Sequence, residues 1–149
     1  MDAIDRKILQ VLQTDARASL QQIGQAVGLS SSPCWERIKK MEAAGVIEGY
    51  TVRLNAQALG YNDTVLVQVT LDSHSDNTLE KFGEILAAIP EVVEAYLVSG
   101  EYDYLLRVAV KDTRDYERLL REKLYKIRGI RHSKSSFVLR TLKKADLPL

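Results

Sequence analysis

The spacing of apolar residues changes once along this chain, and that change constrains its fold more than any other feature. Up to about residue 54 apolar residues recur every three or four positions; from Thr64 they alternate in "TVLVQVTL". The first spacing lines one face of a helix and the second lines one face of a strand. The change therefore marks two units, residues 1–54 and 64–149, with the polar segment 55–63, "NAQALGYND", as a hinge between them.

In the first unit Asp2 stands where it can cap a helix with Ile4, Ile8, Val11 and Leu12 inward. Ser19 can cap a second, short helix with Leu20, Ile23 and Val27 inward, and Gly28 stops it because glycine tolerates the left-handed conformation after a helix end. A third helix begins near Ser30 or Ser32. With Ser32 as the cap, Pro33 takes the first helical position, where its missing N–H costs little. Cys34, Ile38 and Met41 form its inward stripe, Gly45 ends it, and "VIEGYTVRLN" reads as a short strand or hairpin. Three short helices with a glycine turn between the second and third read as a helix-turn-helix, and the β segment suggests its winged variant. A small helical dimerisation or adaptor module would use the same core pattern.

The second unit reads as βαββαβ. Val65, Val67, Val69 and Leu71 share a face of the first strand, and "LEKFGEILAAI" is a helix with Leu79, Phe82, Leu86 and Ile89 inward. "VVEAYLVSG" and "DYLLRVAV" are strands, "YERLLREKLYKI" is a helix burying Tyr116, Leu119, Leu120, Leu124 and Ile127, and "HSKSSFVLRTLK" is the last strand. This order is the ferredoxin-like split βαβ, a four-stranded antiparallel sheet with both helices on one face, so the whole chain is an α+β protein. Leu66, Leu105 and Ala109 would point to the other face, and a second copy packed sheet to sheet is the simplest cover for it.

Composition narrows the function classes. The 149 residues are 46% hydrophobic and 28% charged, ordinary for a soluble globular chain. No apolar run approaches the roughly 20 residues of a membrane span. The start "MDAIDRK" is acidic and polar, unlike a secretory signal, and the single cysteine excludes an internal disulfide; both point to a reducing, cytoplasmic setting. Cys34 falls on a buried stripe, where cysteine behaves as a small hydrophobe rather than a redox switch. Net charge is +1, but residues 72–117 hold 11 acidic and 4 basic residues whereas residues 118–144 hold 10 basic and 1 acidic. Most of these charges are expected to cover solvated helices and a strand, while a basic C-terminal surface suits contact with phosphate. The chain has no phosphate-binding loop, dinucleotide fingerprint or nucleophile elbow, and His74 and His132 lack companions at ligand spacing, so no enzyme, metal or cofactor is expected.

Four segments, "DAIDRKILQVLQTDARAS", "LSSSPCWERIKKMEAAGVIEGYTVRLN", "VSGEYDYLLRVAVKD" and "GIRHSKSSFVL", occur in an order and spacing that resembles the leucine-responsive/asparagine-regulator (Lrp/AsnC, or feast/famine) family, over essentially the whole chain. The first two resemble that family's DNA-binding half and the last two its effector-binding half. The resemblance implies a transcription regulator without catalytic activity. It also implies dimers that associate further, often to octamers, that wrap or bend DNA, and that bind amino acids in the C-terminal domain near subunit interfaces.

On this reading the third helix enters the major groove of double-stranded DNA with its N-terminal end leading. That end carries Ser30, Ser31, Ser32, Pro33, Trp35 and Glu36, with Arg37 and Lys40 further along. Hydroxyls contact phosphate or base edges, Glu36 can accept from a cytosine amino group, and Arg37 and Lys40 suit base or phosphate. The competing roles are capping for the serines and solvation or local pairing for the charges. Trp35 lies about 100° round the helix from the Cys34 stripe, which leaves both the DNA-facing edge and packing over the first helix open. For the effector, Gly100, Glu101, Tyr102 and Asp103 form a loop between two strands. Asp103 can accept from an ammonium, and the loop amides can donate to a carboxylate. Ser133 and Ser135 match positions where the family often carries hydroxyls, with Tyr102, Leu105 and Phe137 as an apolar wall. Asp103 is also a favoured turn residue. An architectural DNA-binding protein of the same fold, without an effector, is the alternative.

Overall fold

The computed structural model describes residues 1–73, 76–145 and 147–149. His74 therefore lies outside the described residues. Contacts divide the chain into residues 1–54 with 143–149, and residues 55–142. The segment expected as a hinge thus belongs to the second unit, and the end of the described chain returns to the first. No helix among the described residues is long and apolar enough to cross a membrane.

The first unit holds α1 (Ala3–Thr14), α2 (Leu20–Val27) and α3 (Ser31–Ala43). Both expected caps form as reciprocal boxes. Asp2 Oδ1 accepts from the amides of Ile4 and Asp5 at 2.9 Å each, and Asp5 Oδ2 accepts from the Asp2 amide at 2.8 Å. Ser19 and Gln22 do the same for α2. These bonds satisfy amides that the helix itself leaves orphaned. Gly28 closes α2 in the left-handed conformation, φ 75°. Ile8, Ile23, Cys34, Ile38 and Met41 make the core, which bears out the inward stripe of each helix.

Of the two starts left open for α3 the structure takes the earlier one, and the segment after the helix differs from expectation. Ser30, not Ser32, is the residue before the helix, so Pro33 is its third residue, and the Ser30 side chain makes no capping bond. The tight turn from α2 starts the helix at once and leaves no room for a later start. No strand forms over 46–54, so the wing is absent from this unit. The amides of Val46 and Ile47 turn back to the Met41 carbonyl at 2.9 and 3.3 Å, and Val52 and Leu54 are exposed and pair with no strand among the described residues.

The second unit holds β1 (Asp63–Leu71), α4 (Asp76–Ala87), β2 (Val92–Leu97), β3 (Tyr104–Val110), α5 (Thr113–Glu122) and β4 (Ile130–Phe137). The sheet order is β2-β3-β1-β4 with every pairing antiparallel, as the βαββαβ reading predicts. Val65, Val67, Val69 and Leu71 of β1 and Tyr104, Leu106, Val108 and Val110 of β3 face Phe82, Leu86, Ile89, Tyr116, Leu119 and Leu124 in one core. Leu66, Leu105 and Ala109 lie on the other face and are half-buried. The last strand stops at Phe137 rather than near 143. Part of the basic run is neutralised locally: Arg118 pairs with Asp115, Arg121 with Glu117 and Lys123 with Glu91, each at 2.6 Å.

Candidate functional site

Helix α3 buries Cys34, Ile38 and Met41, and this decides which side chains point outward. Apart from Ala43 in the last turn, the exposed residues are Ser31, Trp35 and Lys39 in one row, spaced four apart, and Ser32, Glu36 and Lys40 in the next. Trp35 is 51% exposed and is not a member of the buried core of this unit. Lys39 pairs with Glu42 at 2.8 Å, and Glu42 also accepts from the Tyr50 hydroxyl at 3.0 Å. The proposed local pair between Glu36 and Lys40 is not among the ion pairs of the described residues, so both remain available to an external partner.

Arg37 is placed differently. Its Nη1 lies 2.7 Å from Asp2 Oδ2 and 2.7 Å from Asp5 Oδ1, tying α3 to the capping box of α1. The guanidinium expected on DNA is therefore held by two carboxylates of its own unit. The Asp5 amide, and next the Arg37 guanidinium, bring the Asp2 carboxyl from 3.8 down to about 2. Asp5 is lowered by the Asp2 amide first and then by Arg37. Because the folded carboxylates are the stronger acids, their contribution is complete above the ordinary carboxylate range and fades as pH falls towards 2. Arg37→Ala is expected to lower the melting temperature of the first unit at pH 7, and to lower it much less at pH 2. Thermal denaturation at the two pH values checks this, and a DNA-binding loss without any pH 7 destabilisation would return Arg37 to the DNA surface.

One residue of this unit was not singled out from the sequence. Gly24 is buried inside α2, and a Cβ there would sit 2.3 Å from the Leu29 carbonyl oxygen. The amides of Gly28 and Leu29 both bond the Gly24 carbonyl, at 2.8 and 3.0 Å. The turn between α2 and α3 closes over Gly24, and the aim of α3 depends on it. The readable signal was a glycine in mid-helix, a position that costs stability unless close packing requires it.

In the second unit Gly100 has φ 129°, a conformation that favours glycine, at the loop between β2 and β3. Asp103 closes this loop. Its amide donates to the Val69 carbonyl at 2.9 Å, its carbonyl accepts from the Val98 amide at 2.9 Å, and Oδ2 accepts from the Leu71 amide at 2.7 Å. Ser133 pairs with Val69 from the other side of β1, so Asp103 and Ser133 share one end of the sheet, roughly 10 Å apart across one strand. Ser133, Ser135 and Phe137 pair with Val69, Val67 and Val65 and so share the helix-covered face. Ser135 bonds the Tyr116 hydroxyl, and Phe137 meets the Tyr116 ring edge-on with centroids 5.5 Å apart. Leu105 pairs with Gln68 on the opposite face, so it cannot join Phe137 in one apolar wall. Tyr102 is half-buried and Glu101 exposed.

The chain thus combines a helix-turn-helix, the fold of many DNA-binding regulators, with a separate ferredoxin-like unit. Comparison with known proteins makes the class specific. Residues 1–42 match the AsnC-type helix-turn-helix domain, and residues 64–148 match the Lrp/AsnC ligand binding domain. The chain is 37% identical over 146 residues to the leucine-responsive regulatory protein of Klebsiella pneumoniae, covering 98% of this chain and 89% of that one. It superposes with TM-score 0.94 and 41% identity on an AsnC family transcriptional regulator from Agrobacterium tumefaciens, covering 99% of this chain and 97% of the other. With a transcriptional regulator from Neisseria meningitidis solved with L-methionine the TM-score is 0.93 at 32% identity, covering 99% and 96%. This chain belongs to the Lrp/AsnC family of transcriptional regulators.

Proposed function

We propose that this regulator binds double-stranded DNA through the outward rows of α3, and that an amino acid bound in the second unit changes its DNA affinity or its assembly. The two rows on α3 carry the DNA half of this reading: hydroxyls lead, and Glu36 and Lys40 stand exposed behind them. Ser31 and Ser32 contact phosphate or base edges, and Lys40 contacts phosphate. The protein works in the cytoplasm, without catalysis, as a homodimer that assembles further, with octamers the expected form. A second copy covers the face bearing Leu66, Leu105 and Ala109.

For the effector, the support is the loop Gly100–Asp103, which brings a carboxylate to the same sheet end as the Ser133 hydroxyl, together with the L-methionine held by the Neisseria relative. The bond from the Leu71 amide to Asp103 favours a second reading, in which the loop is a plain turn and the protein an architectural DNA binder. A thermal-shift panel against the twenty amino acids separates the two. A clear shift with one or a few supports the regulator, and no shift with any supports the architectural reading.

The DNA half has its own test. A phosphate-contacting lysine contributes about one released counterion, and the logarithm of affinity falls with that of salt by about 0.9 per contact on duplex DNA. Lys40→Ala in each protomer is expected to weaken binding to all duplexes about equally and to flatten the salt slope by about 1 per protomer. An unchanged slope in a salt titration would remove Lys40 from the phosphate contact.

A further inference from the structure

Many large apolar side chains of this protein are exposed, so exposure alone does not single out Trp35. Its position does. It stands in the middle of the outward row of α3, one helical turn after Ser31 and one before Lys39, with Ser32, Glu36 and Lys40 alongside. Apart from Ala43 in the last turn, every other member of the two rows is a hydroxyl or a charge, suited to phosphate and to base-edge donors and acceptors. A half-exposed indole in that setting presents an apolar surface with a single N–H donor.

The major groove offers one apolar feature to such a surface, the 5-methyl group of thymine. We infer that Trp35 is a specificity-determining residue that packs on a thymine methyl group in the major groove; this rests on the proposal that α3 enters that groove. Ser31 and Ser32 precede Trp35 on the same helix face and Lys40 follows it, so the indole falls between the leading hydroxyls and the trailing amine. The methyl contact then fixes a T·A pair near the centre of each half-site. Glu36, in the adjacent row, reads the neighbouring position.

Two features make this testable. Trp35 is the only tryptophan of the chain, so intrinsic indole emission reports on this side chain alone. Deoxyuridine differs from thymidine only in lacking the methyl group. The purified full-length protein is first used to select duplexes from a random-sequence library. Each thymine of the selected duplex is then replaced singly by deoxyuridine, and binding is measured with the wild type and with Trp35→Ala.

The expected result is a shifted Trp35 emission on binding and a loss of about fourfold at one thymine per half-site, the effect of one buried methyl-sized group. In Trp35→Ala, whose exposed site leaves folding intact, overall affinity falls by roughly tenfold or more, and the thymine and deoxyuridine duplexes bind alike. Equal affinity of the wild type for every deoxyuridine duplex, or an emission unaltered by DNA, would overturn the role of Trp35 while leaving DNA binding by α3 standing. Failure to retain any duplex at low salt would overturn both, and retention without enrichment of any sequence would overturn the role of Trp35 alone. A concentration-dependent emission change without DNA would assign Trp35 to contact between copies of the chain instead.

Discussion

Gly24→Ala is expected to unfold or misalign the DNA-binding unit, although alanine is the better helix former. The gain from helix propensity is about 1 kcal/mol. Against it stands a Cβ placed 2.3 Å from the Leu29 carbonyl oxygen, a backbone atom that no rotamer change can move aside. Overpacking of this kind costs typically 1–3 kcal/mol, and contact with backbone puts it at or above the upper end, leaving a net loss of about 2 kcal/mol. For a unit of this size that corresponds to a fall of roughly 10 °C in melting temperature. DNA binding should fall with it, because the displaced turn re-aims α3. Gly49→Ala is the control: nothing lies within 4 Å of its Cβ position and its φ is not positive, so it should change stability by less than about 0.5 kcal/mol. Circular-dichroism melts of both variants check the contrast. Equal melting temperatures would show that α2 and the turn are looser than their backbone geometry requires.

The second large effect concerns Asp103, whose carboxylate has two possible employments. Removing it with Asp103→Ala strands the amide of Leu71, a residue whose side chain is buried in the core. Losing a buried acceptor costs about 1–3 kcal/mol, so this variant should destabilise the second unit and also lose the effector response. Asp103→Asn keeps an oxygen for the Leu71 amide but has no charge for an ammonium group. It should retain stability to within about 1 kcal/mol while still losing the response to the amino acid. Thermal melts with and without ligand read both outcomes. A normal response in both variants would place the effector elsewhere, and a response lost in the alanine variant alone would make Asp103 a turn residue only.

The fold was legible because its determinants are local and periodic. Val65, Val67, Val69 and Leu71 alternate without a break, and all four are buried, so strand and face followed directly. The caps at Asp2 and Ser19 were legible because a box needs only a partner three residues on, and Asp5 and Gln22 supply it. Relations between distant residues were not. Nothing local announces that Arg37 meets Asp2 and Asp5 more than thirty residues away, or that Asp103 reaches the Leu71 amide. The β segment after Gly45 misled because alternation in Val52 and Leu54 promises a strand only where a partner exists. Ser133, Ser135 and Phe137 share a face because their spacing is even, but the strand pairing that puts Leu105 on the opposite face is a property of the sheet.

Linked binding of amino acid and DNA is what most directly distinguishes a regulator from a passive DNA binder. The measurement is the affinity of the intact protein for a selected duplex, at fixed salt, with and without the amino acid that most raises its melting temperature. The expected result is a change of at least several-fold in DNA affinity, matched by the same factor in amino-acid affinity when DNA is bound, because coupling between two sites is reciprocal. A DNA affinity that none of the twenty amino acids alters would contradict effector control and leave a protein that binds DNA without sensing.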